Sequence, residues 1–166
     1  GKGWAFAMKH SLSKPAKITL YEDWVAENGK FICLDDKGNE YGSEGGYLYL
    51  NDDHVLTIDL NGHTIDRNLN EATDNGFVFR LYDYEARLII KDSVGGGKIT
   101  GANNKGNGGA FLVERGGLYI LGGKISGNKA KNGAGVYWES QGNLCICNCE
   151  ITGNEALENG GGIYGT

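Results

Sequence analysis

Six charged residues between positions 59 and 92 could carry acid–base chemistry on the sugar chain of a polysaccharide. Elimination across a uronate needs a cation that neutralises the carboxylate and a Lys or Arg that abstracts the α-proton. The candidates for these roles are Asp59, Asp66, Arg67, Arg80, Lys91 and Asp92. Outward charges on a solvated strand face are equally expected for solubility alone, so both interpretations stay open.

Nucleophilic and metal chemistry have weaker support. His63 follows an Asn-Gly turn without a neighbouring Ser or Cys, so we expect a turn residue that bonds to the next coil. Cys145, Cys147 and Cys149 fall within five residues. Zinc sites pair a C-x₂₋₄-C spacing with a second ligand pair, which is missing here. We therefore predict no metal site and free or structural thiols.

Aromatic side chains give a binding hypothesis. Tyr137 and Tyr164 lie at equivalent positions of a repeat, and Tyr119 lies on another face. Tyrosine rings on a flat sheet can stack on sugar rings while nearby Asn and Asp accept hydroxyl hydrogen bonds. These three are the predicted ligand residues, with cross-strand packing of tyrosines as the alternative. Trp138 is expected to point inward or pack at a corner.

Two motifs recur with a period near 26 residues and define the elements that position these side chains. The segment 107–111 (NGGAF) recurs at 132–136 (NGAGV) and 159–163 (NGGGI). The segment 97–101 (GKITG) recurs at 123–127 (GKISG) and less completely at 149–153 (CEITG). Two motifs that share one period indicate a solenoid.

Within each repeat, apolar residues alternate over three short runs separated by Gly and Asn, which predicts strands with one buried face. Because no helical pattern joins the runs, the chain must coil, and each strand pairs in parallel with its equivalent one repeat later. Phe111, Val136 and Ile163 should form one inward ladder. Leu88, Leu118 and Leu144 should form another, and Asn128 and Asn154 an amide ladder. The fold class is all-β, a right-handed parallel β-helix with three strands per coil.

We predict one domain over residues 1–166. Residues 17–67 form irregular first coils with a loop at 28–46, residues 68–75 form a second loop, and residues 75–166 form regular repeats. Both loops are expected at the surface. Trp4, Met8 and Leu12 follow helical spacing, so residues 3–12 should form a short amphipathic helix that caps the first coil.

Composition excludes several classes of protein. The net charge of -5 and the absence of a Lys/Arg cluster argue against nucleic-acid binding. No apolar stretch approaches the ~20 residues that span a bilayer, and no signal peptide is present in this stretch. No cofactor is indicated, although an acidic surface can hold calcium.

The run 18–24 (ITLYEDW), the run 56–67 (LTIDLNGHTIDR) and the repeats GKISGN and NGGGIY resemble pectin-lyase-like β-helix regions of large secreted proteins from anaerobic gut and rumen bacteria. The resemblance covers residues 4–164 and implies a secreted or cell-surface location. This architecture hosts lyases, hydrolases, esterases, adhesins and stalks, so the resemblance assigns no catalytic residue.

The expected function is a non-catalytic, adhesin-like or carbohydrate-contacting module that binds a polysaccharide or cell-surface glycan. A fragment of a polysaccharide-degrading enzyme, whether a uronate lyase or a glycoside hydrolase, is the alternative, and a purely structural stalk is the second alternative. The last repeat stops early, so we expect the natural protein to continue. The open end should form a weak homodimer through the C-terminal coils.

Overall fold

The protein is an all-parallel β-helix of about four turns with three strands per coil and one short N-terminal helix. A computed structural model describes residues 2–11 and 14–166. No helix in these two ranges is long and apolar enough to cross a membrane. The predicted fold class is therefore confirmed.

Three five-stranded parallel sheets form the walls of the helix. The first sheet contains β1 (Ala16–Thr19), β4 (Val55–Asp59), β7 (Arg87–Lys91), β10 (Gly116–Ile120) and β14 (Gly142–Ile146). The second contains β2 (Trp24–Val25), β5 (Thr64–Asp66), β8 (Lys98–Thr100), β11 (Lys124–Ile125) and β15 (Glu150–Ile151). The third contains β3 (Leu48–Leu50), β6 (Phe79–Leu81), β9 (Phe111–Val113), β13 (Val136–Trp138) and β17 (Ile163–Gly165). In the last two coils β12 (Lys129–Asn132) and β16 (Glu155–Asn159) add a two-stranded sheet at one corner.

Apolar columns fill the space between the walls. One column of the first sheet consists of Ile18, Ile58, Ile90, Ile120 and Ile146, each in register with the next. Both predicted ladders are confirmed by the strand register. Ile163 lies on the last strand of its sheet and is 44% exposed, although Phe111 and Val136 below it are fully buried.

The length of a coil changes along the chain. The step from Ile18 to Ile58 is 40 residues, whereas the step from Ile120 to Ile146 is 26. The predicted period thus holds for the regular repeats, and the early coils are longer because loops leave the corners.

Asparagine side chains stabilise one of those corners. Asn128 accepts a hydrogen bond from the Ala102 amide and donates its own side-chain amide to Asn154 at 2.9 Å. Asn154 in turn donates to the Ile125 carbonyl. The predicted amide ladder is present, and it satisfies backbone groups that the turn would otherwise leave without partners.

The helix α1 (Lys2–His10) covers the first coil as predicted. Trp4 and Met8 are buried, and the Trp4 ring centroid lies 6.2 Å from that of Trp24 in β2. The Trp4 indole N–H donates to the Gly42 carbonyl at 3.1 Å. Leu12, the third residue of the predicted stripe, lies outside the described residues.

The loop at 28–46 is not the surface loop that the sequence suggested. Phe31 and Cys33 within it are fully buried, and the Phe31 ring contacts Trp24 edge-on at 5.0 Å. Asp35 forms an ion pair of 2.5 Å with Lys9 of α1. The loop therefore belongs to the cap, because it and α1 together cover the open core of the first coil.

Candidate functional site

The outward face of the third sheet carries one continuous column of large side chains. Tyr49, Arg80, Leu112, Tyr137 and Tyr164 stand in register on the five strands β3, β6, β9, β13 and β17. At about 4.8 Å between strands, this column extends over about 19 Å. A surface of that length matches several sugar units.

Arg80 is the central cation of this face. Its Nε donates to Oε1 of Glu114 at 2.5 Å and its Nη2 to Oε2 at 3.3 Å, while the guanidinium lies 4.6 Å from the Tyr82 ring centroid. Burial alone would lower the pKa of Arg80, but hydrogen bonds with Glu114 and Tyr47 raise it above its ordinary value. The guanidinium is thus charged and fixed in orientation.

Two carboxyl groups follow each other on adjacent coils. Glu114 and Glu139 come directly after β9 and β13, and the Glu139 amide donates to the Val113 carbonyl at 2.9 Å. Burial, and then the neighbouring charge of Glu114, raise the pKa of Glu139 above its ordinary value, partly offset by Arg115 and Arg80. Among the described residues Glu139 forms no ion pair.

These groups line an open groove. One cleft of about 440 Å³ is lined by Arg80, Tyr82, Glu114, Arg115, Glu139, Ser140, Gln141 and Thr166. A second cleft of about 520 Å³ shares Arg80, Glu114 and Glu139 with it and extends toward Asn104 and Asn107. We call the two clefts together the third-sheet groove.

Tyrosines form the lower edge of the groove. The Tyr49 ring lies 6.1 Å from Tyr47 and 6.0 Å from Tyr82, and all three rings are half-buried. The Tyr49 hydroxyl donates to Glu44. Burial and then the Glu44 carboxylate raise the pKa of Tyr49, so this hydroxyl stays protonated. Each ring is held by its neighbours, with part of it open to solvent.

The predicted ligand tyrosines are divided between two sheets. Tyr137 and Tyr164 stack at 5.7 Å with an interplanar angle of 28°. Tyr137 is only 8% exposed, because Leu112 and Tyr164 flank it and Gly133 lies against its Cβ. Tyr119 lies on the first sheet, so it cannot contact the same sugar unit as the other two.

The charged candidates for elimination chemistry are separated as well. Asp59 and Lys91 stand in register at the end of the first sheet, with Asp92 beside them. The carboxylate of Asp59 accepts from the Asn61 and Ser93 amides, and that of Asp92 accepts from the Gly62 and Gly97 amides. Burial alone would raise the pKa of Asp59, but these amides lower it. Both aspartates therefore stabilise turns.

Asp66 and Arg67 lie at the next corner, and Arg67 is not outward as the sequence suggested. Its side chain is 2% exposed and donates to the carbonyls of Gly29, Asn75 and Phe77. Burial lowers the pKa of Arg67 to about 10. Asp66 accepts from the Asn68 amide at 2.7 Å. The structure thus brings only Arg80, of the six candidates, into the groove.

His63 and the cysteines behave as the sequence indicated. His63 contacts Asp23 of the preceding coil at 3.3 Å, which makes it a turn residue that bonds to a neighbouring coil. All four cysteines are free thiols. Within residues 2–11 and 14–166, no three His, Cys, Asp or Glu side chains are grouped as metal ligands.

The sequence analysis did not identify Glu114 and Glu139 as a pair, although their spacing contains the signal. They are 25 residues apart, the same step that separates Phe111 from Val136 in the inward ladder. Each follows its ladder residue by three positions. Tracking every polar residue through the repeat, and not only the apolar ones, would have found them.

Comparison with protein-family models, with curated proteins and with solved structures found no match. The fold and the groove define a parallel β-helix protein with a polar, aromatic-lined outer face. Function must therefore be argued from the groove itself.

Proposed function

We propose that this protein is a carbohydrate-contacting β-helix module and that the third-sheet groove binds a polysaccharide or cell-surface glycan. The observation that carries the proposal is the register of the third sheet, which brings Tyr82, Arg80 and two carboxyl groups into one groove across adjacent coils. A stalk without a ligand has no need of this convergence.

The chemistry of the groove suits a polyhydroxylated chain. The exposed parts of Tyr47, Tyr49 and Tyr82 can cover the apolar faces of sugar rings. Arg80 and Arg115 donate hydrogen bonds, and Glu114 and Glu139 accept them. An open groove with fixed polar groups favours an extended oligosaccharide over a small enclosed ligand.

A setting outside a bacterial cell is part of the proposal and rests on the resemblance to secreted β-helix regions. Tyr137 and Tyr164 extend the groove toward the last coil, where Tyr164 is half-exposed and can contact a further sugar unit. Tyr119 on the first sheet would need a separate ligand.

A glycan array followed by calorimetry with the best oligosaccharide tests the proposal. Tyr82→Ala and Glu139→Gln should each weaken binding about tenfold, the equivalent of about 1.4 kcal/mol. Tyr21→Ala is the matched control, because Tyr21 is 82% exposed and lies outside the groove. The absence of any glycan ligand, or an equal loss in the control, would contradict the proposal.

Hydrolysis of a glycosidic bond is the second candidate, and the Glu139 environment favours it. Glycoside hydrolases use two carboxyl groups in unlike environments, one of which donates a proton. Here Glu114 is paired with Arg80, whereas the pKa of Glu139 is raised. Release of reducing ends that Glu139→Gln abolishes would support it, and product absorbance on pectin would instead indicate elimination.

A further inference from the structure

Two cysteine side chains project from the same face of β14. Along this strand Leu144 and Ile146 point toward the core, whereas Cys145 and Cys147 are exposed on the outer side. Cys145 stands in register with Tyr119, and the Cys147 amide donates to the Ile120 carbonyl. Strand pairing therefore fixes both thiols on one outward surface.

Packing does not account for these two thiols. Free cysteine is among the most buried residue types, and Cys33 follows that rule with no exposed surface. Cys149 is half-buried, and burial raises its pKa to about 11, so it remains a thiol. Only Cys145 and Cys147 combine full exposure with a common direction.

The geometry of the strand decides what the pair can bind. Residues i and i+2 of a strand lie about 6.6 Å apart, whereas a disulfide needs Cβ atoms about 3.5–4.5 Å apart. A disulfide between Cys145 and Cys147 would thus distort β14. A metal ion midway between two sulfur atoms spans about 4.6 Å, taking about 2.3 Å for each bond. Small rotations of the two side chains reach that separation.

We infer that Cys145 and Cys147 form a two-coordinate site for a soft monovalent metal ion, with copper(I) as the ion that the chemistry favours. Thiolate sulfur selects copper(I) among the common metals. Zinc needs four ligands, which the described residues near this strand do not supply. Both cysteines bind as thiolates, so one copper(I) ion releases two protons and no electron is transferred.

Titration of the reduced full chain with copper(I) under anaerobic conditions, against a chromogenic copper(I) chelator, tests the site. We expect one tightly bound ion per chain and a loss of at least a hundredfold in affinity for Cys145→Ser and for Cys147→Ser. Cys149→Ser is the matched control and should change affinity less than threefold. X-ray absorption should show two sulfur neighbours, and light scattering a monomer at one ion per chain.

Equal affinity of Cys145→Ser and the unaltered protein would overturn the inference, as would an ion shared between two chains. Circular dichroism identifies a variant that fails to fold, and silver(I) binding to the folded single variants then repeats the comparison. The site is independent of the third-sheet groove, because β14 belongs to the first sheet. Tyr82→Ala should therefore bind copper(I) normally, and a failure of either proposal leaves the other standing.

Discussion

At the scale of single residues, Arg67 shows how a buried charge can hold loops together. It joins the Gly29 carbonyl to the carbonyls of Asn75 and Phe77, so it links the loop at 28–46 to the loop that precedes β6. A buried cation without hydrogen bonds would be strongly destabilising, and three carbonyls offset that cost. The role of Arg67 is thus structural, and no catalytic step uses it.

His54 is a second buried polar residue, and it connects the first coil to the end of α1. Its Nδ1 lies 2.8 Å from the Ser11 hydroxyl, and its Nε2 is buried without a hydrogen-bond partner among the described residues. Burial lowers the pKa of His54, an effect that the charges of Asp52 and Asp53 oppose. The folded protein therefore holds a neutral imidazole.

This environment predicts a pH-dependent stability. The unfolded chain binds a proton on His54 near pH 6.5 and the folded chain only below that, so stability is fully present above about pH 6.5 and falls as the pH drops through it. Urea unfolding at pH 7.5 and pH 5 should show a smaller loss for His54→Gln than for the unaltered protein. His63→Gln, at a turn, is the control and should keep the loss; an unchanged loss in His54→Gln would show that another group is responsible.

At the scale of strands, the alternation of apolar residues was enough to predict the register of the regular coils. It works there because a one-residue slip would turn every inward side chain of a strand outward. The first coils were less predictable, since the 40-residue step between Ile18 and Ile58 includes a loop that packs into the cap. No local pattern in residues 28–46 marks Phe31 and Cys33 as buried.

The strand register predicts a large difference between two substitutions. Ile120 is fully buried between Ile90 and Ile146, so Ile120→Asp should cost several kcal/mol by burying an unpaired charge. Lys129 is exposed, and Lys129→Gln should change the free energy of unfolding by less than about 0.5 kcal/mol. Lys129→Glu is the less suitable control, because Glu155 stands opposite it in β16. Equal shifts of the melting temperature would refute the inward assignment.

The candidate site was only partly predictable from these strands. The stack of Tyr137 and Tyr164 followed from the repeat. The ion pair of Arg80 with Glu114 did not, because it joins residues 34 positions apart in coils that exceed the 26-residue period. The burial of Arg67 depends on a carbonyl 38 positions away, which composition and spacing do not encode.

At the scale of the whole molecule, each coil contacts only its neighbours, so stability spreads along the axis in nearest-neighbour steps. The terminal coils then depend on what covers them. At one end α1 is attached through Trp4, through the Lys9–Asp35 ion pair and through Ser11 on His54. At the other end Leu157 is exposed, and a weak dimer through these last coils stays a prediction for light scattering.

Two aromatic residues on α1 allow the cap to be tested. Trp4 is 1% exposed and its ring centroid lies 6.0 Å from that of Phe79, whereas Phe6 is 64% exposed. Trp4→Ala should lower the free energy of unfolding by about 3–5 kcal/mol, because it opens a cavity above the core of the first coil. Phe6→Ala, on the same helix, should cost less than about 1 kcal/mol.

Hydrogen exchange then shows where the loss falls. In Trp4→Ala the amides of β1 and β2 should exchange first, while those of β7 and β10, with a strand on each side, keep their protection until the whole chain unfolds. The position of β2 explains this order, since Trp24 packs directly against Trp4 and loses its cover in the variant. If Trp4→Ala and Phe6→Ala gave the same exchange pattern, α1 would not cap the stack.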